Sequence, residues 1–313
     1  MARRRDRARW TLADAPDQTG RVAIVTGANS GIGFETARGL ARLGATVIMA
    51  CRTASTANAA REEILAELPD ADIVVVPLDL ADPESIRRCA DGINAANSTI
   101  DIIVANAGYI PTEVITNADG LEQGFAAIVL GHYALIGRLS DSLLRAPAAR
   151  VVTVGSLAHR SRTIHPENLG LGTTRRPMQA YAEAKFAQLI FAAELDRRFT
   201  AIGSAAISLA AHPGAARTGV MRERNTFIQR AYHSKLTWPL LRLFVNDAAT
   251  GALPALRAAT DPAAVGSEYF GPSGPFQFTG SPVLVTGSDA VHDAVVGQHL
   301  WALAEKRTGI AYP

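Results

Sequence analysis

The sequence predicts an α/β fold, a single doubly wound domain of about seven parallel strands with helices on both faces. Short apolar runs of strand length alternate with helical patterns from about residue 21 onward. Strand–helix alternation at this spacing builds βαβ units and an all-parallel sheet. The runs are rich in β-branched and other apolar residues, as strands covered on both faces are. The first run ends at a glycine-containing turn that leads directly into a helix.

In chain order, VAIVT (22–26) is the first strand and GIGFETARGLARLG (31–44) the first helix, stopped by Gly44. ATVIMA (45–50) is the second strand. A helix over roughly 55–68 leads to DIVVVPL (72–78), then SIRRCADGINAA (85–96) is helical and DIIVANAG (101–108) is a strand running into a turn. FAAIVLGHYALIGRLSDSLL (125–144) is a helix apolar over much of its circumference, which predicts burial. RVVTVGS (150–156) is a strand, 178–199 a helix and SAAISLAAHPG (204–214) a strand ending in a loop. Residues 219–249 break the rhythm, mixing basic residues with Phe227, Tyr232, Trp238 and Phe244. Residues 262–282, rich in Gly and Pro, read as an irregular connection. VLVTG (283–287) is the last strand and 289–306 the last helix.

With 313 residues, 48% of them hydrophobic, the chain can build one large core. A formal charge of +2 gives no electrostatic footprint for nucleic acid. Residues 1–20 read as a basic arm, with RRRDRAR solvated and TLADAPDQTG standing where a secretory signal would need an apolar stretch. No run of about 18 apolar residues predicts a spanning helix. Cys51 and Cys89 make neither a disulfide framework nor a metal site. These features together predict a soluble, cytoplasmic protein without a metal.

Two constellations carry chemistry. In TGANSGIG (26–33), Gly27, Gly31 and Gly33 lie between a strand and a helix. Glycine permits the tight turn and lets backbone approach a pyrophosphate at the helix N-terminus. In QAYAEAKFA (179–187), Tyr181 and Lys185 are four apart, on one face of a helix, among alanines too short to cover them. Alone, that pair also describes a half-buried tyrosine beside a solvated lysine.

TGxxxGxG at 26–33, NAG at 106–108, Ser156 at a strand end, YxxxK at 181–185 and PG at 213–214 follow one another in the order of the short-chain dehydrogenases/reductases, which the chain resembles from about 21 to 310. The wording ACR (50–52), SLAH (156–159), HPG (212–214) and YFGP (269–272) is most similar to the retinol-dehydrogenase-like branch and its bacterial relatives. The resemblance implies a Rossmann-type domain over 21–313 that interconverts a carbonyl and an alcohol by hydride transfer. It makes Tyr181 the proton donor or acceptor, Lys185 the cation that lowers its pKa and binds the nicotinamide ribose, and Ser156 the partner of the substrate oxygen. It assigns the cofactor to the loop Gly27, Asn29, Ser30, Gly31, Ile32 and Gly33, to Asp79 and Leu80 at the adenine, to Asn106, Ala107 and Gly108, and to Pro213, Gly214 and Thr218. NAD-preferring members carry an acid where Cys51 stands. Arg52 follows it, and a guanidinium suits a 2′-phosphate, so the resemblance implies NADP(H). Asp79 is also placed to cap the helix that follows it.

One position departs from the pattern. The family's VNxLGHF corresponds to AIVLGHY (127–133), which puts Ile128 in place of the Asn that holds a water in the proton relay. The relay also uses the backbone carbonyl, which Ile retains. His132 reads as a packed core histidine, and His159 either lines the substrate mouth or packs. Residues 219–249 are expected to form a lid over an apolar or ring-bearing substrate, or else an ordinary surface helix pair or a subunit contact. Three readings stand: an NADP(H)-dependent oxidoreductase, a non-catalytic NADP(H)-binding sensor or scaffold, and a reductase held at a membrane by the basic arm. The sequence expects no nucleic-acid partner and no membrane, and leaves open a homo-oligomer.

Overall fold

The computed structural model describes residues 9–117, 120–161, 169–171, 176–215 and 245–313. Seven strands run parallel: β1 (Val22–Thr26), β2 (Thr46–Cys51), β3 (Ile73–Pro77), β4 (Ile102–Ala105), β5 (Arg150–Val154), β6 (Ile207–Ala211) and β7 (Tyr269–Pro272). An eighth, β8 (Pro282–Leu284), pairs antiparallel with β7. The order across the sheet is β3-β2-β1-β4-β5-β6-β7-β8.

The all-parallel expectation of about seven strands is therefore corrected at one edge. The unread strand is β7, whose YFGP lies in the stretch taken as irregular. A parallel β8 would need a crossover of about a dozen residues or more, and 273–281 is too short for one.

Helices α1 (Gly31–Arg42) and α2 (Ala54–Glu67) cover one face. Helix α3 (Pro83–Ala96) covers the other, capped by Asp82, which accepts from the Glu84 amide. Helix α4 is composite, with an α turn at Gln123–Phe125, a π segment at Ala126–Gly131 and an α segment at His132–Arg145. It packs with α5 (Pro177–Ala201) and α7 (Ala294–Thr308) on the α3 side, while α6 (Ala248–Thr260) joins α1 and α2. Helix α6 is not among the elements expected from the sequence, because Pro254 lies inside it and its neighbours are small.

Both faces of β1 are sealed. Ile24 enters one core cluster, and Ala23 and Val25 enter the other. The expected arm over 1–20 is corrected for its described part, residues 9–20, which is anchored to the domain: Trp10 is buried in the α1–α2–α6 cluster. The strand order reverses direction between β1 and β4, which opens a crevice at their C-terminal ends. Thr26 and Asn106 stand at that point.

Candidate active site

The glycine loop fits its expected role. Gly27 and Gly31 hold left-handed backbones, at φ of 65° and 58°, where a side chain would be strained. A Cβ on Gly33 would run into the Gly27 carbonyl and the Asn106 amide. Ser30 makes no side-chain cap bond, so the first amides of α1 carry no capping oxygen. Such an end suits a phosphate. Asn29 bonds Thr56 at 3.3 Å, and Ile32 is buried beneath the loop.

Next to the loop, burial pushes the Cys51 thiol up to about 11, against the opposing hydrogen bonds that its sulfur accepts from the Ala28 and Asn29 amides. Arg52 beside it is exposed, with no hydrogen bond or ion pair among the described residues. Asp79 accepts from the Ala81 amide at 2.9 Å, and the cap of α3 is Asp82. Leu80 lies against α4, where a Cβ on Gly131 would run into its carbonyl.

Asn106 locks β4 to β1. Its amide donates to Thr26 Oγ1 at 2.9 Å and its Nδ2 to Thr26 O at 2.8 Å, while the Ala107 amide donates to Thr26 Oγ1 at 2.9 Å. Gly108 lies close to the lysine: a Cβ there would stand 3.2 Å from Lys185 Nζ, and the ammonium would have to give by a few tenths of an ångström. Beyond β6, Gly214 has φ 71° and its amide donates to His212 Nδ1 at 3.1 Å. Pro213 O accepts from Asn246 Nδ2 at 3.1 Å. Thr218 and residues 219–244 of the expected lid lie outside the described residues.

The structure brings Ser156, Tyr181 and Lys185 together. Ser156 follows β5, and its Oγ accepts from the Ala158 amide at 3.2 Å. A hydrogen bond with Ser156 draws the Tyr181 phenol down, but burial outweighs it and the pKa is raised. Lys185 Nζ lies 5.9 Å from the Tyr181 ring centre. Its own pKa is pushed down to about 7 by burial. The expected lowering of Tyr181 by Lys185 does not appear in the protein alone, where burial and, against it, the Ser156 hydrogen bond set the shift.

Lys185 is 3% exposed and its ammonium donates to two acceptors, Val154 O and Gln188 Oε1, both at 2.8 Å. Ile128, in the π segment, presents its carbonyl to Gln188 Nε2 at 3.0 Å and to His132 Nδ1 at 2.7 Å. The His132 amide bonds Val129 O rather than the carbonyl four residues back, which leaves Ile128 O to these side chains. Sequence reasoning missed Gln188 and Thr26. Nothing in the spacing around Lys185 marks a glutamine three residues on as its partner.

His132 is buried as expected, and burial pushes its pKa to about 4. His159 is also buried, against Phe186 and Tyr269. No helix among the described residues is long and apolar enough to cross a membrane.

The sequence profile of short chain dehydrogenases matches residues 21–228. The chain belongs to that family. Within it the similarity points to the retinol-dehydrogenase-like branch. Human retinol dehydrogenase 13 is 34% identical over 298 residues, 94% of this chain and 86% of the relative. Human retinol dehydrogenase 12 is 35% identical over 240 residues, 77% and 73% of the two chains. Among solved structures, an uncharacterized protein from Mycobacterium paratuberculosis is 37% identical, with TM-score 0.78 over 98% of this chain and 100% of that one. A protein assigned as an NAD(P)-dependent gluconate 5-dehydrogenase from Beutenbergia cavernae, solved with NADP, is 25% identical, with TM-score 0.63 over 81% and 95%. This short-chain dehydrogenase is thus an oxidoreductase by family, one that takes a nicotinamide cofactor and a small-molecule substrate.

Proposed function

We propose that the chain is an NADP(H)-dependent oxidoreductase that interconverts a carbonyl and an alcohol on an apolar or ring-bearing small molecule. The observation that carries this is the convergence of Ser156, Tyr181 and Lys185 beside Gly108, at the crevice where the glycine loop opens.

The nicotinamide cofactor supplies or accepts the hydride. The chain's own residues do the rest. The loop from Gly27 to Gly33 and the start of α1 take the pyrophosphate. Arg52 takes the 2′-phosphate, which its unpaired guanidinium fits. Asp79 and Leu80 flank the adenine, Asn106 to Gly108 the ribose, and Pro213, Gly214 and Thr218 the carboxamide side. Ser156 holds the substrate oxygen as charge builds there. The Tyr181 hydroxyl gives or takes the proton. Lys185 donates to the ribose and supports the phenolate.

The test is NADPH consumption across ketones, aldehydes and quinone-like rings, with Tyr181→Phe as control. Turnover that the control abolishes supports the reading. Tight NADPH binding without turnover on any of them would favour the sensor reading instead.

A further inference from the structure

The ammonium of Lys185 ends a flexible four-carbon stem. It is useful only if it is aimed, and where it is buried the protein's own groups must help to aim it. Two groups hold it. One is the Val154 carbonyl, a fixed point of β5. The other is a side chain, Gln188, one turn further along α5 and itself 1% exposed.

The Gln188 amide has one workable orientation. With Oε1 on the ammonium and Nε2 on Ile128 O, both bonds pair a donor with an acceptor, and the 3.4 Å approach of Nε2 to His132 Nδ1 is that of two donors sharing the Ile128 carbonyl. Reversing the amide would set NH2 against an ammonium and oxygen against oxygen. The same logic fixes His132. Its Nδ1 faces a carbonyl oxygen, so Nδ1 carries the hydrogen and Nε2 is bare. Nε2 then accepts from Thr26 Oγ1 at 2.8 Å. Thr26 Oγ1 in turn accepts from the Asn106 and Ala107 amides. Two runs of hydrogen bonds, one from the Asn106 and Ala107 amides through Thr26 and His132 and one from Lys185 through Gln188, therefore converge as donors on the Ile128 carbonyl.

We propose that Gln188 is the positioning residue of Lys185. Its side-chain amide bridges the ammonium to the Ile128 carbonyl, on which the run from the Asn106–Ala107 turn through Thr26 and His132 also ends. Lys185 is thereby aimed from its own helix, and the side chain at position 128 is free to be apolar. This rests on the reading above only in taking Lys185 to serve the cofactor ribose and turnover.

The test is a double-mutant cycle on the full chain, read by NADPH fluorescence titration, by kcat and by melting temperature. Gln188→Met keeps the bulk and removes both bonds. We expect it to raise the NADPH dissociation constant about tenfold and to lower kcat by about 10- to 100-fold. In a Lys185→Met background the same change should alter either quantity less than about twofold, because a residue that acts through another has nothing left to act on. Gln188→Glu, which retains an acceptor for the ammonium, should recover most of the affinity. Equal effects of Gln188→Met in the two backgrounds would overturn the proposal, and so would a lowered melting temperature with affinity and kcat unchanged. The titration needs no turnover, so NADPH binding without catalysis would sink the carbonyl reading while the cycle still judges Gln188.

Discussion

At Tyr181 burial raises the phenol pKa and the Ser156 hydroxyl opposes it, with burial the larger effect. A protonated phenol is the proton donor that carbonyl reduction needs. Tyr181→Phe removes only that hydroxyl. We expect kcat to fall by about 10²–10⁴-fold, the usual contribution of a general acid, with NADPH affinity nearly intact. Stopped-flow turnover beside a binding titration checks both halves. At the other end of the cofactor site, Arg52→Asp removes the exposed guanidinium and offers a carboxylate for ribose hydroxyls. The ratio of kcat/KM for NADPH over NADH should fall by at least about tenfold, one charge-assisted hydrogen bond's worth. An unchanged ratio would remove Arg52 from the phosphate site. Ile128 has its carbonyl committed to Gln188 and His132 whatever its side chain. Ile128→Asn should therefore change kcat less than about tenfold, while its buried amide costs about 1–3 kcal/mol and lowers the melting temperature.

The elements show which parts of this site a sequence can display. Strands β1, β2, β4 and β5 are covered on both faces, so each is an apolar run that reads directly. The glycine loop reads too, because its needs are backbone needs that only one residue type meets. Gly33 is an example: its missing Cβ is what lets α1 sit against the Gly27 carbonyl. We expect Gly33→Ala to push the loop outward and weaken NADPH at least about tenfold, with a lower melting temperature. Normal affinity would mean that the loop does not carry the pyrophosphate. Other parts were not legible. Strand β7 is written YFGP, two of whose four residues are the usual marks of a turn, and α6 holds Pro254. Both are specified by packing against neighbours already in place. The Gln188 bridge joins α5 to a carbonyl 60 residues earlier, freed by a π segment that no local pattern announces.

Over the whole molecule, the buried histidines set the acid limit of stability. Burial pushes His132 and His212 to about 4 each, against an ordinary value near 6.5. His132 faces Lys185, and His212 faces Arg160 and His159, all of which oppose a further positive charge. The Gln277 bond pulls His212 the other way without overcoming burial. Because the folded pKa values are depressed, the unfolded chain binds more protons between pH 6.5 and 4. Stability is therefore complete above about 6.5 and falls as the pH drops through that window. At pH 5 each histidine shifts the balance by about 2 kcal/mol toward unfolding. A pair thus removes a large part of an ordinary domain's margin of about 5–15 kcal/mol. Urea titrations from pH 7 to pH 5 read this as proton uptake on unfolding. His212→Gln keeps a side chain that can bond Gln277 and does not titrate. We expect it to reduce that uptake by about one proton, whatever it does to stability at pH 7. An uptake equal to that of the unaltered protein would mean that His212 is already charged in the folded state, and that Arg160 and the neighbouring loop are arranged differently around it.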